Sequence, residues 1–154
     1  METAPPSLLR RDTYLLAKVG KAVRARLGAR MAARQLRLWH MAVLAALDDF
    51  GPRSQRQLAA RLTLHPSDVT RVVDDLVERG WVVRTRDPAD RRRVSVRLTP
   101  EGEEALRRLE AEASAVEDEI LSPLTPDARA ELSTALRLVF DHLHQGSGED
   151  EPVP

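Results

Sequence analysis

Between Pro66 and Leu98 the spacing of apolar residues switches from helical to alternating, and that switch limits the folds open to the chain. Val69, Val72, Val73, Leu76 and Val77 recur at helical spacing behind Pro66, which stands at a first helical position, where a missing N–H costs nothing. Gly80 lies where a helix C-terminus favours left-handed backbone. Trp81–Arg86 then reads as a strand, Asp87-Pro88-Ala89-Asp90 as a turn and Arg93–Leu98 as the return strand. Upstream, Ser54 with Gln57 three residues later is a capping-box pattern. It opens a short helix carrying Leu58, Ala59 and Leu62 that is over by Thr63. Short helix, tight turn, second helix and charged hairpin form one supersecondary unit, a helix-turn-helix followed by a wing.

The flanks are helical. Leu8, Leu9, Leu15, Leu16, Val19, Val23 and Leu27 predict one helix from Ser7 to about Gly28, and residues 34–49 predict another, ending at Phe50-Gly51-Pro52. Thr99-Pro100-Glu101 starts a long helix through Ile120, and Thr125-Pro126-Asp127 starts the last one. Residues 145–154 have the composition of a disordered tail. The predicted class is mainly α with a small β-hairpin. The divisions are an N-terminal helical segment (1–33), a winged helix-turn-helix (34–98), C-terminal helices (99–144) and the tail (145–154).

Charge is segregated along the chain. Residues 51–98 hold eleven Arg against six acids, whereas residues 99–154 hold four Arg against fourteen acids. A zero net charge therefore hides a basic middle segment suited to nucleic acid. With no cysteine, disulfides and thiol redox sensing are excluded. The longest apolar run, Met41–Leu47, is far too short for a membrane span, and Met1–Pro6 shows no signal-peptide pattern, so a soluble cytoplasmic protein is expected. There is no Gly-rich phosphate loop and no Gly-x-Ser-x-Gly, and the acidic pairs read as solvated helix charge, so no enzyme and no cofactor are expected. His142 and His144, two apart on a helix, point away from one another, and no metal site is predicted.

On the second helix of the unit, Ser67, Asp68, Thr70, Arg71 and Asp74 are left outward once the apolar stripe faces the core. Ser67 and Thr70 can reach a phosphate or a base edge, and Arg71 can donate two bonds to guanine O6 and N7. The plain alternative for Arg71 is an ion pair with Asp74 or Asp75. Arg91, Arg92 and Arg93 at the wing tip suit a narrow minor groove, with Asp90 beside them. Arg53, Arg56, Arg84 and Arg86 are candidates for phosphate contact.

Together these pieces resemble the MarR family of bacterial transcription regulators. Gln57-Leu58-Ala59 matches its positioning helix, Ser67 to Val82 its recognition helix and glycine turn, Asp90-Arg91-Arg92-Arg93 its wing tip, and Leu98 to Gly102 the start of its long dimerisation helix. The resemblance covers roughly residues 8–144 and implies a homodimer on double-stranded DNA, in which Asp90 braces Arg92. It also implies a cavity for a small aromatic or anionic effector, for which Tyr14, Arg37, Trp39 and His40 are the candidate lining residues. His40 departs from the Gln frequent at that position. A repressor is the commoner mode in that family. The competing readings are a metal-responsive regulator and a winged helix used only for protein contacts.

Overall fold

The computed structural model describes residues 4–145. The described elements run α1 (Pro6–Leu9), α2 (Asp12–Ala32), α3 (Leu38–Phe50), α4 (Gln55–Leu62), α5 (Pro66–Glu78), β1 (Val82–Arg86), β2 (Val94–Leu98), α6 (Pro100–Ile120) and α7 (Pro126–His144). The chain divides after Val116 into two compact units.

In the first unit, α3, α4 and α5 close around one apolar core. Leu44, Leu58, Val69, Val73, Leu76, Val82 and Val96 are fully buried, joined by Met31, Leu106 and Leu109. Each such side chain contributes about 1.5–3 kcal/mol when buried. The caps read in the sequence are made. Gln57 N–H donates to Ser54 Oγ at 3.1 Å, and Ser54 N–H donates to Gln57 Oε1 at 2.9 Å. The helix α4 ends on Thr63, which takes left-handed backbone at φ 52°, and α5 is followed by Gly80 at φ 72°.

The strands pair antiparallel in a register from Val82 opposite Leu98 to Arg86 opposite Val94. Arg53 extends this hairpin by a backbone bridge to Val96. Its open end is pinned by Thr99, whose hydroxyl donates to Gly80 O at 2.7 Å and accepts from Gly102 N–H at 3.0 Å. Gly102 brings α6 so close to the hairpin that a Cβ there would lie 2.0 Å from Trp81 O.

Two helix boundaries differ from the sequence reading. The predicted helix from Ser7 to Gly28 is broken at Arg10 and Arg11 into α1 and α2, with Asp12 restarting it as an acid in a first turn. It then runs past Gly28 to Ala32, because an interior glycine weakens a helix by only about 1 kcal/mol and does not stop it. The stop is Gln35, left-handed at φ 58°, where Leu36 N–H turns back to Met31 O at 2.9 Å. Consequently α3 begins at Leu38 and not at residue 34. Its first turn is closed by His40, whose Nδ1 accepts Arg37 N–H at 2.9 Å. Glu112 on α6 holds Arg30 of α2 at 3.4 Å and Arg34, in the turn after α2, at 2.5 Å. The Arg34 hydrogen bond is the main reason its carboxyl lies below its ordinary value.

The second unit begins inside α6 and contains α7. Thr125 caps α7 by accepting Ala128 N–H at 3.3 Å, and Arg129 donates to Leu121 O at 3.1 Å and to Asp118 at 2.8 Å. No residue of α7 is buried, and Leu136, Leu138, Val139, Phe140 and Leu143 are exposed. Of the predicted tail, residues 146–154 lie outside the described residues.

Candidate nucleic-acid interface

The helix α5 buries Val69, Val72, Val73 and Leu76 on one face, and this fixes which side chains the other face presents. Ser67, Thr70, Arg71 and Asp74 are exposed and Asp68 is half-buried, as the apolar stripe requires. His65 caps the helix: its Nδ1 accepts Ser67 N–H at 3.2 Å and lies 2.7 Å from Ser67 Oγ. Accepting a backbone N–H leaves that nitrogen without a proton, so the Ser67 hydroxyl donates to it.

The five outward residues are in different states. Arg71 makes no hydrogen bond or ion pair among the described residues. Both of its sequence-proposed partners are taken: Asp74 pairs with Arg84, and Asp75 lies 2.7 Å from His40 Nε2 and 3.2 Å from Arg79 Nε. The guanidinium of Arg71 is therefore available. Thr70 is only partly so: its hydroxyl proton is committed to Pro66 O at 3.0 Å and one lone pair accepts from Gln55 Nε2 at 3.0 Å.

The basic residues divide in the same way. Arg84, read from the sequence as a phosphate contact, is held by Asp74 and by Gln55 Oε1, the latter at 3.0 Å from its Nε. Arg53 donates to Pro52 O at 2.8 Å and serves the hairpin edge. Arg86 reaches Arg91 O at 3.5 Å, a weak contact. Arg56 is exposed.

At the wing tip Arg91, Arg92 and Arg93 are all exposed. The expected brace of Arg92 by Asp90 takes another form. Asp90 Oδ1 accepts the backbone N–H of Arg92 at 3.0 Å, shaping the turn, while its other oxygen lies 3.8 Å from Arg93 Nε. An Asx turn uses the amide two residues on, so Asp90 engages Arg92 through its backbone and Arg93 through its side chain.

Beside the recognition face lies a cavity of about 450 Å³. Arg37, Trp39 and His40 line it together with Asp68, Arg71 and Asp75 from α5. Tyr14 does not; it lies on α2 with Lys18 Nζ 5.3 Å from its ring centre. His40 is buried, and its ring is fixed from both ends. Nδ1 accepts Arg37 N–H, so Nε2 carries the proton and donates to Asp75. Among the described residues no cluster of three or more His, Asp or Glu could hold a metal ion.

Gln55, His65 and Asp75 belong to this surface and were missed by sequence reasoning. Gln55 follows an evident N-cap, so its position at a helix start was readable. Its partners, 15 and 29 residues away, were not.

A model of the MarR family matches residues 34–93. The chain is 35% identical over 101 residues to YkoM of Bacillus subtilis (strain 168), an uncharacterized HTH-type transcriptional regulator, a stretch that is 66% of each chain. The chain spans about half to two thirds of the length of three curated relatives it matches, 66%, 52% and 65%. Among solved structures, CouR from Rhodococcus jostii RHA1, bound to p-coumaroyl-CoA, is similar with a TM-score of 0.72 at 27% identity, over 97% of this chain and 100% of that one. The PcaV transcriptional regulator from Streptomyces coelicolor, in complex with its natural ligand, is similar with a TM-score of 0.67 at 31% identity, over 90% of this chain and 98% of that one.

Proposed function

The chain belongs to the MarR family of transcriptional regulators, and from that premise we propose that it binds double-stranded DNA sequence-specifically, as a homodimer on a pseudo-palindromic operator. The observation that carries this reading is Arg71, a guanidinium without a partner among the described residues on the exposed face of a helix whose opposite face is buried. Such a group can reach guanine O6 and N7 at no cost in broken protein contacts. Arg91 and Arg92 at the wing tip supply positive charge for the neighbouring minor groove.

Exposed apolar side chains on separate helices support the homodimer. Leu8, Leu9, Leu15, Leu16 and Val19 in α1 and α2, and Leu136, Leu138, Val139, Phe140 and Leu143 in α7, are large apolar side chains left exposed, and clusters of this kind mark interaction surfaces. Repression relieved by a small effector is the mode we infer. Its support is the cavity lined by Arg37, Trp39, His40 and Arg71, together with ligand-bound CouR and PcaV. A ligand that binds better to a dimer with wrongly spaced wings releases DNA by population shift, by as much as its two affinities differ. Cytoplasmic action on DNA is part of the same reading; among the described residues no helix is long and apolar enough to cross a membrane.

The test is selection of duplexes from a random pool at ~150 mM salt, where non-specific binding is suppressed. The expected product is an inverted repeat with half-site centres ~10 bp apart. A folded, dimeric protein that enriches no sequence overturns the reading.

A further inference from the structure

Four polar side chains from three elements form one continuous chain of hydrogen bonds on the face of α5. Thr70 donates its hydroxyl proton to Pro66 O at 3.0 Å and accepts from Gln55 Nε2 at 3.0 Å. Gln55 Oε1 accepts from Arg84 Nε at 3.0 Å, and Arg84 in turn pairs with Asp74.

The direction of every bond in this chain is settled by chemistry. A guanidinium has donors and no acceptor, so the oxygen of the Gln55 amide must face Arg84 and its nitrogen must face Thr70. A backbone carbonyl only accepts, so the one hydroxyl proton of Thr70 is committed to Pro66. What remains on this pair of neighbouring atoms is one lone pair on Thr70 Oγ and one N–H on Gln55 Nε2, an acceptor and a donor 3.0 Å apart, while the second lone pair of Gln55 Oε1 is on the atom that faces Arg84. Thr70 thus has no proton left for a phosphate oxygen, contrary to the reading from sequence. Arg84 has its charge matched by Asp74 and neutralises little of a DNA backbone.

An acceptor beside a donor is the complement of one base edge in the major groove. Adenine offers N6–H as donor and N7 as acceptor on neighbouring atoms, whereas guanine offers two acceptors there. We propose that Gln55 and Thr70 form a composite adenine-reading element, and that Arg84 and Asp74 are positioning residues which hold the Gln55 amide in its reading orientation. This rests on the DNA-binding reading above and adds to it a specificity residue on α4, one helix away from the recognition helix. Arg71 on the same face reads guanine, so each half-site contains a guanine read from α5 and an adenine read by α4 and α5 together.

The test uses the full chain and the duplex selected by it. Wild type is expected to require adenine at one position of each half-site. Gln55→Ala is expected to relax that position about tenfold and leave the others unchanged. Arg84→Lys keeps the charge facing Asp74 but replaces the planar fork that orients Gln55. It is expected to relax the same position with the salt dependence of binding unaltered. Replacing that adenine by 7-deazaadenine, which lacks the N7 acceptor, should weaken wild-type binding several-fold and leave Gln55→Ala unaffected. Retention of full adenine preference in both variants overturns the proposal, as does an equal loss on 7-deazaadenine in wild type and Gln55→Ala. A uniform loss across sequences in Arg84→Lys also overturns it and makes Arg84 a phosphate clamp. Enrichment of a defined duplex with unchanged preferences in the variants removes only this proposal; absence of any enriched duplex removes the DNA-binding reading with it.

Discussion

Arg84 and Arg93 stand on the same hairpin, one on a strand and one beside the tip, and the protein treats them oppositely. Arg84 is tied to Gln55 and Asp74, and its side chain is 33% exposed. Among the described residues the Arg93 side chain has only Asp90, at 3.8 Å, and is 81% exposed. The first region is ordered before DNA arrives and offers defined donors and acceptors. The second is exposed charge with few side-chain bonds, and fixing such a side chain on a partner costs about 0.5–1.5 kcal/mol. Under the proposed function the difference would divide labour: a surface with fixed donors and acceptors can discriminate between bases, and an exposed cationic one can meet a phosphate or a groove on any sequence.

The change expected to break both regions at once is Gly102→Ala. Both depend on the hairpin being anchored at its open end, where Gly102 N–H binds Thr99 Oγ and the α6 backbone meets Trp81. A methyl group placed 2.0 Å from a backbone carbonyl cannot be absorbed by a side-chain rotation, so strand and helix must part. Overpacking of this kind costs about 1–3 kcal/mol and sometimes more, and here the upper end is expected. Urea unfolding should show it as a lowered midpoint with DNA binding lost in parallel. A midpoint equal to wild type would mean that the two elements move freely.

The next pair sharpens the comparison without unfolding anything. Arg71→Ala should reduce discrimination at one guanine by about 1–3 kcal/mol and leave other positions intact. Arg92→Ala should weaken binding to all duplexes alike and lower the slope of log K against log salt by about one. Titrations of matched and mismatched duplexes at several salt concentrations check both. Equal, sequence-independent losses in the two variants would dissolve the division between a reading face and a clamping tip.

What was legible in the sequence follows the range of the interactions. The caps at Ser54 and Thr125, the proline starts at Pro66 and Pro126 and the stripe of α5 are set by neighbours within four residues, and they were read correctly. The outward residues of α5 follow from that stripe. The pairing of Arg84 was not legible because it depends on the hairpin bringing β1 against a helix start 29 residues earlier. The same holds for Asp75, whose partner His40 lies 35 residues away. The break at Arg10 and Arg11 was missed for another reason: apolar spacing continues across it, and periodicity alone does not register two residues of lost helix. The Asp90 brace was displaced because a local backbone bond to Arg92 N–H competes with the side-chain pair.

A third group of paired charges, away from the recognition face, separates bracing for recognition from bracing for stability. Glu112 on α6 binds Arg30 of α2 and Arg34 in the turn after it, and its carboxyl lies below the ordinary 4.5, first through the Arg34 hydrogen bond, with burial opposing and the charges of Arg34 and Arg30 adding. A carboxylate whose value is depressed on folding stabilises the fold at pH above the unfolded value and loses that contribution as pH falls through the folded one. Glu112→Gln should therefore melt slightly below wild type at neutral pH. The two should converge once the medium is more acidic than the depressed range of Glu112. The effect is small, since exposed pairs contribute little. Binding to the selected duplex should not change at all, because nothing in this group reaches the face built by Gln55, Thr70 and Arg71. A change in base preference in Glu112→Gln would mean that the recognition face is set by α2 and α6, and not by the bonds among α4, α5 and β1.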